Sequence, residues 1–358
     1  GLVGLFQFVP ALVMTLPAGH VADRLHRGRI FAACMALQAG VALTLLSATM
    51  GNYASRELIL LISVVLGLAR AFQMPAQQAM VALLVPTNLL GRAVALSSTG
   101  MEIAVISGPA LGGLLYALGP TNVYICCTAL MLLATGLILA VHYQHKPSNL
   151  AANWSTLFAG VRFVWERKLL LGASSLDLFA VLLGGATALL PIYARDILHT
   201  GPTGLGFLRA APAVGALAMS LVITRWPLRR HVGKRLLSAV AVFGLATVLF
   251  GLSESFWLSM FALTVTGAAD CISVVTRNTL VQLETPDEMR GRVAAVNSIF
   301  IGASNQLGEF ESGATAAMWG PVGSVVVGGI GTMLVAGLWF KLFPALAHRD
   351  HMEPQGKR

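Results

Sequence analysis

The sequence predicts an all-α integral membrane protein made of two similar helical halves, and three observations predict it. Of 358 residues, 56% are hydrophobic and only 11% are charged, whereas a soluble domain carries roughly 25% charged residues. The apolar residues form continuous runs of about 20, the length that crosses a bilayer, without the alternation of a β-barrel. A proline–glycine–arginine motif recurs at an offset of 200 residues (Pro86, Gly91, Arg92; Pro286, Gly291, Arg292). The mean hydropathy of +0.76 excludes a cytosolic enzyme, a disordered chain and a small disulfide scaffold.

The apolar runs fall at about 1–22, 29–49, 57–83, 92–118, 121–142, 169–194, 203–226, 233–252, 255–283, 291–318 and 322–344, eleven in all. Nineteen of the 24 lysines and arginines lie at 23–29, 92, 143–168, 225–235, 290–292 and 341–358. These are alternate connections with their helix ends, which the positive-inside rule assigns to the cytoplasm. The net charge of +9 therefore reads as a topology signal, and no nucleic-acid partner is expected. The organisation follows: an N-terminal bundle at 1–142, a cytoplasmic linker at 143–168, a C-terminal six-helix bundle at 169–344 and a cytoplasmic tail at 345–358.

Under the 200-residue offset the run at 203–226 matches 1–22, while 169–194 has its match upstream of residue 1. The expectation is eleven spans here, with the first helix of the N-terminal bundle absent and twelve in the intact protein.

The same offset pairs Arg70 with Asp270, Gln73 with Ser273, Gln77 with Arg277 and Gln78 with Asn278. In each half the first three positions are spaced i, i+3, i+7 on one helix face. Two like halves carrying polar stripes suit a transporter with a substrate site between them. Ionisable residues inside spans are costly and mark partners or pathways, so Arg70, Gln77, Glu102, Asp177, Asp270 and Arg277 are the candidates for a substrate or proton path. Asp270 and Arg277 stand two turns apart, about 10 Å along a helix, so each is expected to meet a partner on another helix. Arg70 is expected near Asp270 or Glu102. Glu102 and Asp177 lead as proton carriers, and Glu309 and Glu311 suit a gate or packing role. Arg209 is expected to snorkel to the outer interface.

Four cysteines (Cys34, Cys126, Cys127, Cys271) sit in apolar runs without CxxC spacing. They read as small buried hydrophobes, with no disulfide, metal site or cofactor expected. No HExxH or phosphate loop occurs, and an enzyme is not expected.

The loop from Gly19 to Arg29 (GHVADRLHRGR) resembles the signature loop of the major facilitator superfamily. That resemblance makes run 1–22 the family's second helix, and implies a conformational latch of Gly19, Asp23, Arg24, Arg27 and Arg29. Two departures are His26, where glycine is usual, and Gly28, where a basic residue is common. The second half keeps Thr224-Arg225 and a longer basic loop but lacks the acid. Gly108, Pro109, Gly112 and Gly113 resemble the fifth-helix motif of exporters in that superfamily, which implies a bend and close helix packing. Ser175–Phe179, Leu190–Asp196 and Ser304–Gly313 look like the bacterial branch that contains the enterobactin exporter.

The resemblance covers essentially the whole chain. It implies a secondary active exporter of small amphiphilic molecules such as drugs or siderophores, working by alternating access and coupled to H+. A monomer in the bacterial cytoplasmic (inner) membrane is expected, with the lipid bilayer and a small-molecule substrate as partners. The alternatives are an importer or facilitator of the same fold, or an inactive fragment.

Overall fold

The computed structural model describes residues 2–85, 89–141, 154–226 and 230–350. They form two compact units, 2–154 and 155–358, divided inside the expected linker. The first unit holds α1 (Leu2–Arg24), α2 (Arg27–Met50), α3 (Arg56–Leu84), α4 (Leu90–Ala117) and α5 (Pro120–Ala140). The second holds α6 (Trp154–Glu166), α7 (Lys168–Gly184), the short α8 (Leu190–Ile192), α9 (Gly201–Arg225), α10 (Val232–Gly251), α11 (Phe256–Glu284), α12 (Asp287–Leu342) and α13 (Pro344–Ala347).

Among the described residues, nine helical stretches are long and apolar enough to cross a membrane, against the eleven expected. The difference has two sources. In α1 the apolar stretch is Leu2–Met14, too short to count, and Phe300–Leu342 counts once although it runs for 43 residues. That stretch is broken at Gly320, whose φ of 76° and ψ of 165° are not helical. Pro321 follows, and Gly119 (φ 124°) with Pro120 makes the same break between α4 and α5. Glycine alone takes this backbone without strain, and proline suits the first turn of the next helix.

The repeat extends through whole helices. α3 and α11 are each 29 residues long and start 200 residues apart. In the first unit α1 packs on α3 and α2 on α5; in the second, α9 packs on α11 and α10 on α12. Equivalent glycines sit at close helix approaches in both units. A methyl group on Gly67 would lie 2.3 Å from the Gln7 carbonyl oxygen, and one on Gly267 would lie 1.8 Å from that of Pro212. Small residues let membrane helices touch backbone to backbone. Gly267→Ala is therefore expected to destabilise the detergent-solubilised protein by about 1–3 kcal/mol, the usual cost of overpacking. Gly302→Ala, where a methyl group meets nothing within 4 Å, serves as the neutral control. Equal melting temperatures for the two variants would contradict the close crossing.

Two segments depart from the expected organisation. The linker contains α6, whose Val164 is buried against Leu170, Val281, Val293 and Val296. Residues 345–350, expected in the tail, pack into the second unit, with Leu346 and Ala347 fully buried beside Val232 and Leu236. The backbone N–H of Gly233 donates to the Arg349 carbonyl at 3.0 Å, and the Arg349 guanidinium meets Glu284 at 2.7 Å. A methyl group on Gly233 would collide with the Leu346 carbonyl. The tail thus begins as part of the bundle because the start of α10 is bare enough to receive it.

Candidate functional site

Five charged residues of the second unit, Asp177, Arg209, Asp270, Arg277 and Glu309, converge on one region. α7 carries Asp177 among Leu176, Ala173 and Ala180, and α11 carries Arg277 one turn before Leu280. The two side chains form an ion pair, the guanidinium 2% and the carboxylate 9% exposed. Arg277 Nε has no hydrogen-bond partner among the described residues, so Asp177 supplies the main compensation for this buried charge. Arg277 thereby meets its partner on α7, not on its own helix.

Beyond this pair α7 loses its regular helix. Gly184 and Gly185 end it, a 3-10 turn covers Ala186–Leu189, and after α8 a π-turn spans Tyr193–Ile197. The Gly185 carbonyl accepts from Ser312 Oγ at 2.9 Å, and the Tyr193 hydroxyl donates to the Gly251 carbonyl at 2.9 Å. Irregular backbone at membrane depth survives only where protein groups or a water-filled cavity satisfy it.

A cavity of about 270 Å3 opens against this irregular segment, walled also by α9, α10, α11 and the first limb of α12. Asp270, Glu309 and Arg209 bring charge to its lining, Asn305, Thr247 and Thr266 bring hydrogen-bonding groups, and Phe243 and Phe250 bring aromatic faces. A second void of about 10 Å3 is lined by Asp177, Asp270 and Ser273. It shares Val181, Phe243 and Asp270 with the larger one, and its volume is close to that needed for a single water. Asp270 stands at both voids and has neither an ion pair nor a hydrogen bond among the described residues.

Arg209, Asp177 and Glu309 each take a place that the sequence alone did not indicate. Arg209 lines the cavity rather than only reaching for an interface, because Pro212 and Gly215 bring α9 tight against α11 beneath it. Asp177, expected as a proton carrier, is held in an ion pair with Arg277. Glu309, assigned to a gate or to packing, lines the cavity, while Glu311 is half-buried outside the lining. The sequence reading passed over Asn305, Thr247, Thr266, Phe243 and Phe250. The signal available for this region was the Gly184-Gly185 pair, followed within one run by Pro191.

In the first unit Arg70 is exposed and Gln77 half-buried on α3, and Gln38 donates to Gln73 at 2.6 Å. The side chain of Glu102, on α4, lies outside the described residues, as do those of Asp23 and Arg24, while Gly19 lies on α1. Arg27 and Arg29 open α2 after a two-residue turn, Arg27 half-buried and Arg29 exposed. The expected nearness of Arg70 to Glu102 therefore falls on residues not described.

Gly108, Pro109, Gly112 and Gly113 lie within α4, which runs through Pro109 as one helix. Methyl groups on Gly108 and Gly112 would meet nothing within 4 Å. Within the first unit α4 makes its contacts mainly along α5 and α3.

The departures at His26 and Gly28 recur in the second unit. His26 precedes α2 as His231 precedes α10, and Gly28 and Gly233 are both buried two positions later. The second signature-like loop lacks its own acid, and Asp350 supplies one, with its carboxylate 2.6 Å from His231 Nδ1.

Comparison with known proteins agrees with this architecture. A family model described as transmembrane secretion effector matches residues 2–356. The chain is 26% identical to the enterobactin exporter of Shigella dysenteriae over 276 residues, 76% of this chain and 66% of that one. It is 28% identical to the multidrug efflux pump Tap of Mycobacterium tuberculosis over 325 residues, 85% of this chain and 75% of the pump. It is 23% identical to a Na(+), Li(+), K(+)/H(+) antiporter of Planococcus maritimus over 333 residues, 84% of this chain and 78% of the antiporter. Among solved structures, a nucleoside transporter, NupG, shares the fold with a TM-score of 0.74 at 15% identity, covering 96% of this chain and 90% of that one. A bacterial homologue of the lysosomal transporter Spinster gives 0.72 at 15% identity, with 96% and 90% covered. With the duplicated bundles, the polar cavity and a match across nearly the whole chain, the protein belongs to the transmembrane secretion effector family of major facilitator superfamily transporters.

Proposed function

We propose that this secondary transporter is a proton-coupled exporter of small amphiphilic molecules, acting by alternating access in the bacterial inner membrane. The observation that carries the reading is Asp270. It lines the cavity of the second unit without a partner, beside an Asp177–Arg277 pair whose charges already cancel. A carrier that couples to protons needs a carboxylate free to change its charge as its surroundings change. Asp270 has that freedom, and Glu309 is a second acid on the same lining. Phe243 and Phe250 beside these acids and Arg209 offer an amphiphilic molecule both apolar and charged contacts. An enterobactin exporter, a multidrug efflux pump and a cation/proton antiporter among the relatives support export and proton coupling.

On this reading the chain crosses the membrane eleven times, with the basic connections on the cytoplasmic side, and works as a monomer. Gly19, Asp23, Arg24, Arg27 and Arg29 form the latch of the first unit, and Arg70, Gln77 and Glu102 belong to its substrate path.

The test is transport in inverted membrane vesicles from cells making the protein, with a cationic dye and a catechol siderophore as probes. Accumulation of either probe that an uncoupler abolishes is the expected result. Accumulation indifferent to the uncoupler would remove proton coupling, and movement of both probes only outward from these vesicles would favour import.

A further inference from the structure

The helix inside the linker has a face that the transport reading does not use. α6 ends at Glu166, and Arg167 alone separates it from Lys168, where α7 and a candidate membrane span begin. Arg167 is extended (φ −101°, ψ 96°), so the chain turns there. One side of α6 is committed to the protein, with Val164 only 4% exposed and Val161 and Phe163 packed against the cluster that includes Val293 and Val296. The other side holds Trp165, 70% exposed. Beside it the side chains of Arg162 and Glu166 pair at 2.7 Å while remaining 81% and 60% exposed. The guanidinium of Arg167 sits 4.9 Å from the centre of the Phe163 ring, and Arg167 and Lys168 are both exposed.

An exposed tryptophan on a helix outside the spans, three residues from the start of one, is placed where the bilayer's headgroups lie. An indole at that depth keeps its ring in an apolar layer and its N–H in a polar one. Arg162 is neutralised by Glu166, which leaves Arg167 and Lys168 as the net charge of this corner. Two cations beside an amphipathic helix at the cytoplasmic end of a span complement an anionic leaflet.

We infer that α6 is a membrane-surface helix whose outer face, centred on Trp165 with Arg167 and Lys168 at its end, docks on anionic phospholipid headgroups. The occupant is lipid because the face is continuous with the start of the α7 span and carries the opposite charge to an anionic leaflet. The helix would then tie the segment between the two units to the membrane surface at the second unit. This does not depend on the direction of transport or on the coupling ion.

The test uses the full chain with its four cysteines replaced, carrying Arg162→Cys, beside Trp165 on the exposed face, labelled with an environment-sensitive fluorophore. The protein is reconstituted in phosphatidylcholine liposomes with and without phosphatidylglycerol. The expected result is blue-shifted emission, quenched more by a spin label near the lipid headgroup than by one deep in the chains, and shielded from aqueous iodide. Phosphatidylglycerol should increase the lipid quenching, and Arg167→Gln/Lys168→Gln should remove that increase. Full iodide quenching without lipid quenching would overturn the docking, and equal quenching in both liposomes would overturn the recognition of anionic lipid. Should the cysteine-free protein fail to fold, the difference in brominated-lipid quenching between the native chain and Trp165→Phe reads the same contact.

Discussion

Asp270→Asn is expected to lower probe accumulation in inverted vesicles to the level left by an uncoupler, with the protein still folded and inserted. The amide has nearly the shape of the acid but carries no proton to give up, so only a role that needs titration is lost. Folding should survive because Asp270 has no ion pair or hydrogen bond among the described residues to forfeit. Transport should also lose its dependence on pH, a readout that a packing role would not move. Wild-type, uncoupler-sensitive accumulation by Asp270→Asn would place the coupling acid elsewhere, with Glu102 of the first unit next to test.

The largest effect on stability is expected at the buried ion pair. Arg277→Gln leaves the Asp177 carboxylate, 9% exposed, without its counter-charge. Removing one partner of a buried pair costs about 3–5 kcal/mol, because the remaining charge stays desolvated and uncompensated. Asp177→Asn should cost as much by stranding the guanidinium. The double variant Asp177→Asn/Arg277→Gln should recover much of the loss, since neither charge then remains, and the non-additivity measures the coupling. Melting of the detergent-solubilised proteins checks this. Additive losses would mean that the two residues do not act as a pair. The comparison also separates the two aspartates: Asp177 is expected to report on stability and Asp270 on transport.

Much of the architecture was legible before the structure because a bilayer imposes a local rule. A span must be apolar for about 20 residues and must satisfy its own backbone. The run at 57–83 is accordingly α3 at Arg56–Leu84, and the run at 255–283 is α11 at Phe256–Glu284. The 200-residue repeat, first seen in three residues of each half, runs through equivalent helix pairs and equivalent close-packed glycines. The polar stripe on α11 was legible as well, for Asp270, Ser273 and Arg277 follow helical spacing.

The partners were not legible. That Arg277 faces Asp177 rather than another acid depends on how α7 and α11 are rotated and how closely they cross, and hydropathy records neither. Arg209 entered the cavity lining because Gly215 and Gly267 draw α9 onto α11, a contact set by two backbones meeting in space. The same holds for Asp350, which supplies an acid to His231 from more than a hundred residues away. Asn305 and Thr247 looked like ordinary polar residues until the break in α7 opened a void beside them.

The sequence by itself determined the class of the molecule, its helices, its repeat and its basic face, because these follow from composition and period along one chain. Only the tertiary structure decided which charges pair, which remain free and where a cavity lies, because those outcomes depend on the rotation and approach of helices far apart in sequence.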